Sequence, residues 1–558
     1  MKVALLFFTD PRRNFSSSVA ALAAVVRDAG HEPVALEIFR GYGIDDVVAH
    51  LNTSDYDVIG ASCMTRDWPG AHALFARIES SAYVVVGGYH ASLAPNEVAE
   101  CDGVDAIVIG EGEGPMRAIL DALQEGRRPR TQDGLWCRQE NFEGPPPVAA
   151  AEPDIETLPH WDYDVFGEMQ SILREGINTF GPLVDGFLPV RAGRGCPFSC
   201  AYCSAPRWGA LNGFAKATRN TRDVESLCAE LASLRDRYSV EGFEFWDEHF
   251  PMQLPWLEAF AACYASEVGM PFKVEMHPNA ATRRRLELLK QAGCVLFHCG
   301  IEAGDEAFRI ETLNRRTPDA RLQQVFDDCR ELGLETSASL MTMLPGETRE
   351  QQAKTTALLH RLRPGSFMWS NYHPLPGTPL GRRAVSHWPG PARKTFADYD
   401  QVHTKTPPVV NAEERAATFA ELGSLQRELV QIASARAGRD ARPVEVPEPL
   451  RPMNTALREL LHLSDDVIAR SALDYASDAS RRVLRVELEH PDFGESLVRI
   501  APLNQAHFVA SSDVGLAYAG KEASPALLRW LEASAKALHG LTFDQLAAAH
   551  ESRSRVPR

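Results

Sequence analysis

The sequence predicts an α/β protein in which two successive series of strands and helices precede a helix-rich C-terminal region. Short apolar segments of strand length alternate with amphipathic segments over residues 1–130 and again over residues 189–400. Apolar strands separated by helices are typical of parallel sheets that are covered on both faces. The chain has 558 residues, 44% of them hydrophobic and 24% charged, which is the composition of a folded protein with several domains.

The first series predicts a doubly wound sheet of the flavodoxin or Rossmann type over residues 1–130. Its strands are predicted at residues 3–8, 34–38, 58–62, 83–86 and 106–109. Such sheets bind ligands at the carboxyl ends of their strands. The corresponding loops are residues 9–14, 63–68, 87–92 and 110–114. The first loop lacks the G-x-G-x-x-G pattern, so a nicotinamide dinucleotide is not the expected ligand.

A predicted linker and bridging segment follows over residues 131–188, where Gly144-Pro145-Pro146-Pro147 interrupts the regular pattern. The second series then predicts a partial (βα)6 barrel of the TIM type over residues 189–400. Its strands are predicted at residues 190–192, 242–246, 272–276, 295–299, 337–341 and 366–371. The reactive face of such a barrel lies at the carboxyl ends of the strands.

Residues 401–558 are predicted to form a helical or α+β domain that caps the mouth of the barrel. The pattern favours helices over residues 413–436 and 454–475, and a hairpin of residues 483–489 with 496–500. No motif in this region carries chemistry. We expect the region to shape which substrate enters the barrel rather than to react itself.

An excess of acidic residues disfavours binding to nucleic acid or to an anionic membrane surface. The chain has 58 Lys and Arg against 75 Asp and Glu, a net charge of −17. No apolar stretch reaches the roughly 18 residues of a membrane span, and the N-terminal apolar run lacks a signal-peptide cleavage site. We therefore expect a cytoplasmic protein whose 11 cysteines are reduced thiols or metal ligands rather than disulfides.

The strongest chemical signal is a C-x3-C-x2-C motif directly after the first predicted barrel strand. It consists of Cys196, Cys200 and Cys203. Thiolates bind iron–sulfur clusters, and three of them leave one iron of a [4Fe–4S] cluster open to a substrate or cofactor. A zinc site would need a second pair of cysteines or histidines nearby, and none follows. The motif therefore predicts catalytic cysteines that are also the metal ligands of a cluster.

With Tyr202 as the aromatic residue before the third cysteine, the motif resembles that of the radical S-adenosylmethionine (SAM) superfamily. The resemblance implies that SAM binds the open iron and is cleaved to a 5′-deoxyadenosyl radical. It also implies SAM contacts at the cluster motif and at or after the ends of later barrel strands. The residues expected to make them are Tyr202, Asp247, Glu302, Arg315, Pro345 and Gly346. Arg316 is the alternative to Arg315 as partner of the SAM carboxylate.

Glycines close two strands of the first series, in loops where such sheets bind ligands. Gly87-Gly88 closes the fourth strand, and Gly110-Glu111-Gly112-Glu113 follows the fifth. In front of a radical SAM barrel, these loops resemble the cobalamin-binding domain of cobalamin-dependent radical SAM enzymes. Residues without a Cβ let the backbone approach the macrocycle and its nucleotide tail. The alternative is a sheet domain that binds no cofactor and only packs against the barrel.

The second resemblance implies that cobalamin, as methylcobalamin, contacts the loops after strands three, four and five. The expected residues are Ser62, Cys63, Thr65, Arg66, Trp68, Gly87, Gly88, His90, Ser92, Gly110, Glu111, Gly112 and Glu113. Many cobalamin domains place a histidine below cobalt within Asp-x-His-x-x-Gly, whereas here Arg12 follows Asp10. We therefore expect no histidine ligand, with Arg66 and Trp68 beneath the metal. His90 is the rival ligand, although the resemblance places it in a loop around the corrin.

Other polar residues near the predicted strand ends have two interpretations each. His249, His277, His298 and His373 either face the substrate or satisfy the core, and Glu275 is expected to point inward, toward SAM or substrate. Cys294 and Cys299 either form part of an auxiliary cluster or are buried free thiols, which is the more common role of a cysteine in an apolar strand.

The resemblance implies a methyltransferase that acts on an unactivated carbon of a small natural-product or cofactor intermediate. A cyclase or ring-rearranging enzyme with the same cofactors is the alternative, because anaerobic magnesium-protoporphyrin ester cyclases share this layout. A tRNA methylthiotransferase would need a second cysteine triad, but the N-terminal region has only Cys63, Cys101 and Cys137. A non-catalytic electron carrier is disfavoured by the open iron. The expected partners are a small-molecule substrate and an electron donor such as flavodoxin or ferredoxin, without nucleic acid or membrane.

Overall fold

The protein was analysed as a computed structural model. It describes residues 1–9, 15–39, 44–138, 142, 144–151, 153–167, 169, 186–211, 220–372, 374–387, 422, 425, 451–453, 458–459, 468–474, 483–490, 494–503 and 507–511. The chain divides into two compact units. The first comprises Met1–Asp400 with Glu421–Val430, and the second comprises Gln401–Ala420 with Gln431–Arg558.

A six-stranded sheet forms the N-terminal part of the first unit. Its strands are β1 (Lys2–Thr9), β2 (Glu32–Phe39), β3 (Val58–Ser62), β4 (Tyr83–Gly87), β5 (Ala106–Val108) and β6 (Leu135–Cys137). The spatial order is β2-β1-β3-β4-β5-β6, and every pair except β5 with β6 is parallel. All five predicted strands are present. The sixth lies in the segment predicted as a linker, where three residues are too few to show a strand pattern.

Helices cover both faces of this sheet, as the continuous apolar strands predict. They span Ser17–Asp28, Ile44–Thr53, Trp68–Phe75, Tyr89–Leu93, Pro95–Ala99 and Glu113–Gln124. Alternate residues of β1 face opposite ways, so Leu6 joins one core and Leu5 the other. The first helix begins after Ser16, whose hydroxyl accepts a hydrogen bond from the Val19 amide at 3.3 Å.

A second six-stranded sheet, entirely parallel, follows in the same unit. Its strands are β7 (Phe187–Val190), β10 (Gly242–Phe245), β11 (Phe272–Glu275), β12 (Cys294–Glu302), β13 (Glu335–Thr342) and β14 (Ser366–Asn371). The order β14-β13-β12-β11-β10-β7 is that of a partial barrel with sequential neighbours. The six predicted strands are confirmed, although the first ends at Val190 rather than at residue 192. Two short strands, β8 (Gly193–Arg194) and β9 (Asn220–Thr221), pair in antiparallel fashion beside it.

Helices connect the barrel strands and form its outer layer. They span Ala205–Leu211, Val224–Tyr238, Leu254–Cys263, Arg283–Ala292, Glu306–Glu311, Asp319–Glu331, Arg349–Leu362 and Pro379–His387. Phe245 and Phe272 pack against Phe260 of this layer, with ring centroids 5.8 and 5.7 Å away. Because side chains alternate along a strand, Glu244 and Lys273 face the barrel interior, where they form a buried ion pair.

The described part of the second unit is an antiparallel sheet. Its strands are β15 (Arg451–Pro452), β16 (Ile468–Asp474), β17 (Val483–His490), β18 (Gly494–Leu503) and β19 (His507–Ser511), in sequential order. The predicted hairpin is confirmed as the pair β17 and β18. The helix predicted over residues 454–475 is wrong at β16, which pairs with β17 along its whole length. The helix predicted over 413–436 lies outside the described residues, apart from positions 422 and 425, which are helical.

In the parts of the chain that the structure describes, no helix combines the length and the apolar character that a membrane span requires.

Candidate active site

The cysteine motif lies at the carboxyl end of the first barrel strand, on a loop fixed by two carboxylates. Asp247 accepts hydrogen bonds from the Gly193 amide at 2.6 Å and the Ala192 amide at 3.2 Å. Glu248 accepts one from the Gly195 amide at 3.2 Å, one residue before Cys196. Burial raises the pKa of Asp247 to about 7. The carboxylates after β10 therefore hold the backbone that carries the motif.

The three motif thiols are close enough to interact electrostatically. Burial, and then the charges of the neighbouring motif thiolates, raise the pKa of Cys196 to about 11 and that of Cys203 to about 12. Cys200 is buried, and its sulfur accepts a hydrogen bond from Arg315 at 3.6 Å. Among the described residues, no three His, Cys, Asp or Glu side chains are grouped as they would be around one metal ion. Three cysteines on one loop fit a [4Fe–4S] cluster better than a single ion, because each cysteine sulfur binds a different iron.

Three of the residues predicted to bind SAM form one hydrogen-bonded network beside Cys200. The Tyr202 hydroxyl donates to Glu302 at 2.9 Å and accepts from Arg315 at 3.1 Å. Arg315 also lies 3.8 Å from the Glu302 carboxylate and donates to the carbonyl of Gly300. Burial raises the pKa of Glu302. The network therefore holds a positive and a negative group, both buried, at the carboxyl end of β12.

The backbone at this point is built around a glycine and a strained glutamate. Glu302 has φ +72, in the left-handed region that favours glycine, and a register irregularity of β12 lies between Gly300 and Glu302. A Cβ on Gly300 would lie 2.0 Å from the Glu302 carboxylate. Strain of this kind is maintained by its surroundings and is concentrated at functional sites.

Pro345 and Gly346 form the turn after β13, at the same edge of the sheet as Glu302. Gly346 is exposed, has φ +82, and a Cβ there would meet no atom within 4 Å. The next residue, Glu347, is buried, and burial raises its pKa to about 8. Thr348 then begins the helix Arg349–Leu362 in a capping box.

Aromatic and imidazole rings surround the middle of the motif loop. Phe198 stacks on His277 with ring centroids 3.7 Å apart and lies 5.3 Å from His249. Burial lowers the pKa of His249 to about 4 and that of His277 to about 2, so both rings are neutral near pH 7. Neither ring nitrogen of His249 has a hydrogen-bond partner among the described residues. These rings give the motif loop a largely apolar wall.

The barrel interior below the network is polar. Glu275 and His298 are register neighbours on β11 and β12, and His298 shares a 2.8 Å hydrogen bond with Ser339. Burial, and then the charge of Glu302, raise the pKa of Glu275 to about 7. Burial also lowers the pKa of His298 to about 3. His373, the fourth histidine predicted near the strand ends, lies outside the described residues.

The two cysteines considered for an auxiliary cluster lie on β12. Cys294 and Cys299 are both buried, and burial raises the pKa of each to about 12. A buried thiol with a raised pKa in an apolar strand has the properties of a packing residue.

A cavity opens at the carboxyl ends of β3, β4 and β5. Five glycines line it: Gly60, Gly87, Gly88, Gly110 and Gly112. A Cβ on Gly88 would lie 2.7 Å from the backbone nitrogen of Cys63, and one on Gly87 would lie 3.3 Å from Val108. Ser62 also lines the cavity. A cleft cleared of side chains at this edge of the sheet fits the cobalamin tail that the sequence predicts.

The loop after β3 turns its side chains in two directions. Asp67 accepts a hydrogen bond from the Met64 amide at 2.9 Å and closes a tight turn. Cys63, Thr65 and Trp68 are buried, whereas Arg66 is partly exposed. Met64 is 46% exposed, unusual for its type, and sequence reasoning missed it. Met64 is thus the exposed side chain of the loop and Arg66 is partly exposed with a buried Nε atom, while Trp68 is part of the core.

His90 is also part of the interior. Its side chain is fully buried, its ring stacks on Trp68 with centroids 5.2 Å apart, and Nε2 lies 3.5 Å from Glu97. Burial lowers the pKa of His90 to about 3. The neighbouring Ser92 donates to the carbonyl of Gly88 at 3.0 Å and accepts from the Gly110 amide at 3.0 Å. Ser92 therefore links the two glycine loops by hydrogen bonds, and His90 packs on Trp68 in the core next to them.

The carboxylates of the second glycine loop bind the barrel. Arg194 lies 3.1 Å from Glu111 and forms a second, shorter ion pair with Glu113. Trp208 donates its indole N–H to Glu111 at 3.0 Å and packs on Tyr89, with ring centroids 4.5 Å apart. Burial raises the pKa of Glu111.

This ion-pair network connects the two predicted cofactor sites directly. Arg194 lies two residues before Cys196, so the glycine loop and the cluster motif share one buried junction. Sequence reasoning assigned Glu111 and Glu113 to the cofactor and missed Arg194 and Trp208. Gly112, between the two carboxylates, lines the cavity. The loop that holds Asp10 and Arg12 lies outside the described residues.

Comparison with known proteins identifies both halves of the first unit. Residues 190–359 match the radical SAM superfamily, and residues 15–120 match the B12-binding domain. An uncharacterized methyltransferase of Pyrococcus horikoshii is 24% identical over 375 residues, which cover 66% of this chain and 78% of that protein. The anaerobic magnesium-protoporphyrin IX monomethyl ester cyclase of Rubrivivax gelatinosus is 23% identical over 376 residues, 65% of each chain.

A solved structure has the same fold. The radical SAM methyltransferase TsrM of Kitasatospora setae, solved with cobalamin and a [4Fe–4S] cluster bound, aligns with a TM-score of 0.56 at 17% identity. The alignment covers 76% of this chain and 88% of that one.

Proposed function

We propose that the chain is a cobalamin-dependent radical SAM enzyme that methylates an unactivated carbon of a small molecule. The observation that carries the proposal is the buried junction of Arg194 with Glu111 and Glu113. It joins the cobalamin loop to the cluster motif within one compact unit, as transfer of a methyl group to a substrate radical requires.

The cysteines Cys196, Cys200 and Cys203 would hold the cluster, and the glycine-lined cavity would hold the cobalamin tail. When bound, the cluster and SAM supply the 5′-deoxyadenosyl radical, and methylcobalamin supplies the methyl group. The residues of this chain position these groups and exclude solvent from them.

Arg315 has the central positioning role in this proposal. Its guanidinium donates to the sulfur of Cys200, which favours the anionic sulfur that iron binds. Arg315 and Glu302 also offer opposite charges to the carboxylate and ammonium of the SAM methionine moiety. Tyr202 bonds to both and fixes their geometry.

Radical chemistry requires a dry site, because solvent quenches a primary carbon radical. The stacked rings of Phe198 and His277 cover one side of the motif loop. Leu313, Leu344 and Tyr372 form an apolar cluster with Ala201 beside the cysteines. These contacts support a role for the chain in shielding the reacting carbon.

The polar barrel interior supports a small substrate with hydrogen-bonding groups. Glu275 forms no hydrogen bond through its side chain with the described residues, and it lies beside His298 and near Glu302. A carboxyl group without a protein partner favours a ligand that donates hydrogen bonds, such as a hydroxyl or amine.

The test is anaerobic turnover of the reconstituted enzyme with SAM, cobalamin, a reductant and a substrate panel drawn from the products of neighbouring biosynthetic genes. We expect S-adenosylhomocysteine and 5′-deoxyadenosine in near-equal amounts with each product that gains one methyl group. Formation of 5′-deoxyadenosine without S-adenosylhomocysteine and without this mass gain would refute methyl transfer.

That outcome would favour the second candidate function, a cyclase or ring-rearranging enzyme with the same cofactors. Its support is the similarity to the Rubrivivax cyclase, which matches about as much of this chain as the methyltransferase relative does. A product of altered ring structure and unchanged carbon count would identify it.

We further propose that the chain works in the cytoplasm with flavodoxin or ferredoxin as its electron donor. The cluster and cobalamin both need low-potential electrons, and free thiols persist where the environment is reducing. Replacement of a chemical reductant by flavodoxin with its reductase should sustain turnover, and a complete failure to do so would contradict the proposal.

A further inference from the structure

The cavity that opens on the first sheet is not enclosed by that sheet alone. Arg191, Arg194 and Trp208 belong to the radical SAM domain and form part of its wall. Arg191 directly follows β7, so the first barrel strand ends beside the cavity that Arg191 lines. The B12-binding domain and the barrel therefore build one binding site together.

Four charged side chains line the cavity, and among the described residues Arg191 is the one without a close partner of opposite charge. Both carboxylates of the wall, Glu111 and Glu113, bind Arg194. Within the described residues, Arg191 has no hydrogen bond and no ion pair within 4 Å, and its Nε atom is buried. Its guanidinium lies over the ring of Trp161, 5.5 Å from the centroid, which fixes its direction. A buried guanidinium edge that lacks an acceptor favours an anionic ligand group.

A second part of the lining is also suited to an anion. Ser17 and Ser18 line the cavity from the first turn of the helix Ser17–Asp28, where backbone N–H groups give a positive end. Leu22, Val85 and Met116 add apolar side chains to the lining. The cavity therefore combines groups that favour an anion with apolar surface.

This combination matches the chemistry of one part of cobalamin. The nucleotide tail carries a phosphodiester, then a ribose, then a flat aromatic base. We propose that Arg191 binds the phosphodiester of the cobalamin tail, so that the radical SAM domain supplies part of the cobalamin site. The proposal rests on cobalamin as the cofactor and is independent of whether methyl transfer follows.

The test compares corrinoids with and without the phosphate. Cobalamin, cobinamide phosphate and cobinamide share the corrin ring, but cobinamide lacks the phosphate and the base. Binding of each to the anaerobically reconstituted full chain is measured by equilibrium filtration with corrin absorbance as the readout. We expect Arg191→Gln to weaken cobalamin and cobinamide phosphate about tenfold and to leave cobinamide binding unchanged.

Two variants separate the proposed role from a structural one. Arg191→Lys keeps the charge and should restore part of the lost affinity. Arg207→Gln alters an exposed arginine of the same domain that does not line the cavity, and it should bind all three corrinoids like the wild type.

Equal weakening of cobinamide by Arg191→Gln would overturn the proposal, because the residue would then act on the fold or the corrin. Unchanged cobalamin binding in the same variant would overturn it as well. A wild-type chain that binds no corrinoid would overturn both this proposal and the proposed function. A chain that binds cobalamin through Arg191 but yields no methylated product would sustain this proposal alone.

Discussion

The two predicted cofactor sites are built by opposite means. The cavity on the first sheet is made by leaving side chains out, at Gly60, Gly87 and Gly88, and part of its lining is apolar. The barrel site is made by placing buried charges together, above all Glu302 and Arg315 beside Cys200. The glycine positions of the cavity recognise the shape of the ligand, whereas the barrel network recognises charge.

This difference predicts which substitutions impair ligand binding at each site. The glycine positions of the cavity tolerate no added volume, because a Cβ that meets backbone leaves no room for adjustment. A buried charge network tolerates little loss of charge, because the remaining partner stays desolvated without compensation. Added volume should therefore be most damaging at the glycines of the cavity, and loss of charge most damaging in the barrel network.

The largest effect should follow from removal of the motif thiols. Replacement of Cys196, Cys200 and Cys203 together by Ala should abolish iron binding and all SAM cleavage, since it removes every thiolate of the predicted cluster motif. Iron content and visible absorption of the anaerobically reconstituted protein measure the loss.

The matched control is Cys294→Ala, which removes a buried thiol of the same barrel and should keep about four irons per chain. Retention of about four irons by the triple variant would refute the cluster assignment.

The next largest effect should come from a single methyl group added to Gly88, a residue that lines the cavity. Gly88 has φ +91 and ψ −171, a conformation essentially restricted to glycine, and a Cβ would lie 2.7 Å from the Cys63 nitrogen. Gly88→Ala should destabilise the chain by about 3 kcal/mol and abolish tight cobalamin binding. Urea unfolding and corrin absorbance measure the two effects.

Gly114→Ala is the control for this prediction. Gly114 lies in the first turn of the helix Glu113–Gln124, and a Cβ there would meet no atom within 4 Å. It should leave cobalamin affinity and stability unchanged or slightly raised. If the two variants behaved alike, the steric account of the cavity would be wrong.

A third, smaller effect tests whether His90 is a buried neutral residue. Its pKa is lowered by burial to about 3, so below the ordinary value of 6.5 the unfolded chain takes up the proton and the folded one does not. Stability is therefore lost as pH falls from about 6.5 towards 3. At pH 5 the loss is about 2 kcal/mol. His90→Leu should remove that part of the acid sensitivity.

The measurement is the difference in unfolding free energy between wild type and variant, taken at pH 7.5 and at pH 5. His360→Leu, at an exposed position of the helix Arg349–Leu362, should show no comparable shift. Cobalamin binding should survive in His90→Leu. Its loss, together with the loss of a nitrogen splitting in the paramagnetic resonance of cob(II)alamin, would instead identify His90 as a ligand.

The sequence predicts the cavity and the cysteine motif well because their signals are local. Gly87 and Gly88 stand side by side in the chain, and the three cysteines lie within eight residues. The alternation of strands and helices also fixes both parallel sheets in the first unit. A short antiparallel strand such as Leu135–Cys137 has no such signal, because three residues show no periodicity.

The charge networks could not be predicted in the same way, because their members are distant in sequence. Tyr202 and Glu302 are 100 residues apart, and Arg194 and Glu113 are 81 apart. Each carboxylate alone looks like a helix cap or a surface charge. The predicted helix at residues 454–475 failed for a related reason, since the pairing of β16 with β17 outweighs local preference.

The smallest predicted effect concerns the barrel network and separates SAM binding from cluster binding. Glu302→Gln keeps the shape of the side chain and its bond to Tyr202 but removes the charge that faces Arg315 at 3.8 Å. SAM affinity should fall about tenfold, since one charge-assisted contact to the SAM ammonium becomes a neutral one. Equilibrium binding of SAM to the reconstituted protein measures it, with Glu311→Gln at an exposed position as control.

Iron content decides what that result means. Arg315 keeps its bonds to the Gly300 carbonyl, Tyr202 and Cys200 in the Glu302→Gln variant, so the motif loop should remain in place and the cluster should load fully. Full iron with weakened SAM would assign Glu302 to the ligand. Reduced iron would show that Glu302 acts on the loop through Arg315 and Cys200, and the barrel site would then recognise SAM by other groups. Unchanged SAM affinity with full iron would refute the hypothesis that the barrel site recognises SAM through the charge of Glu302. The contrast between this site and the cavity would then not hold.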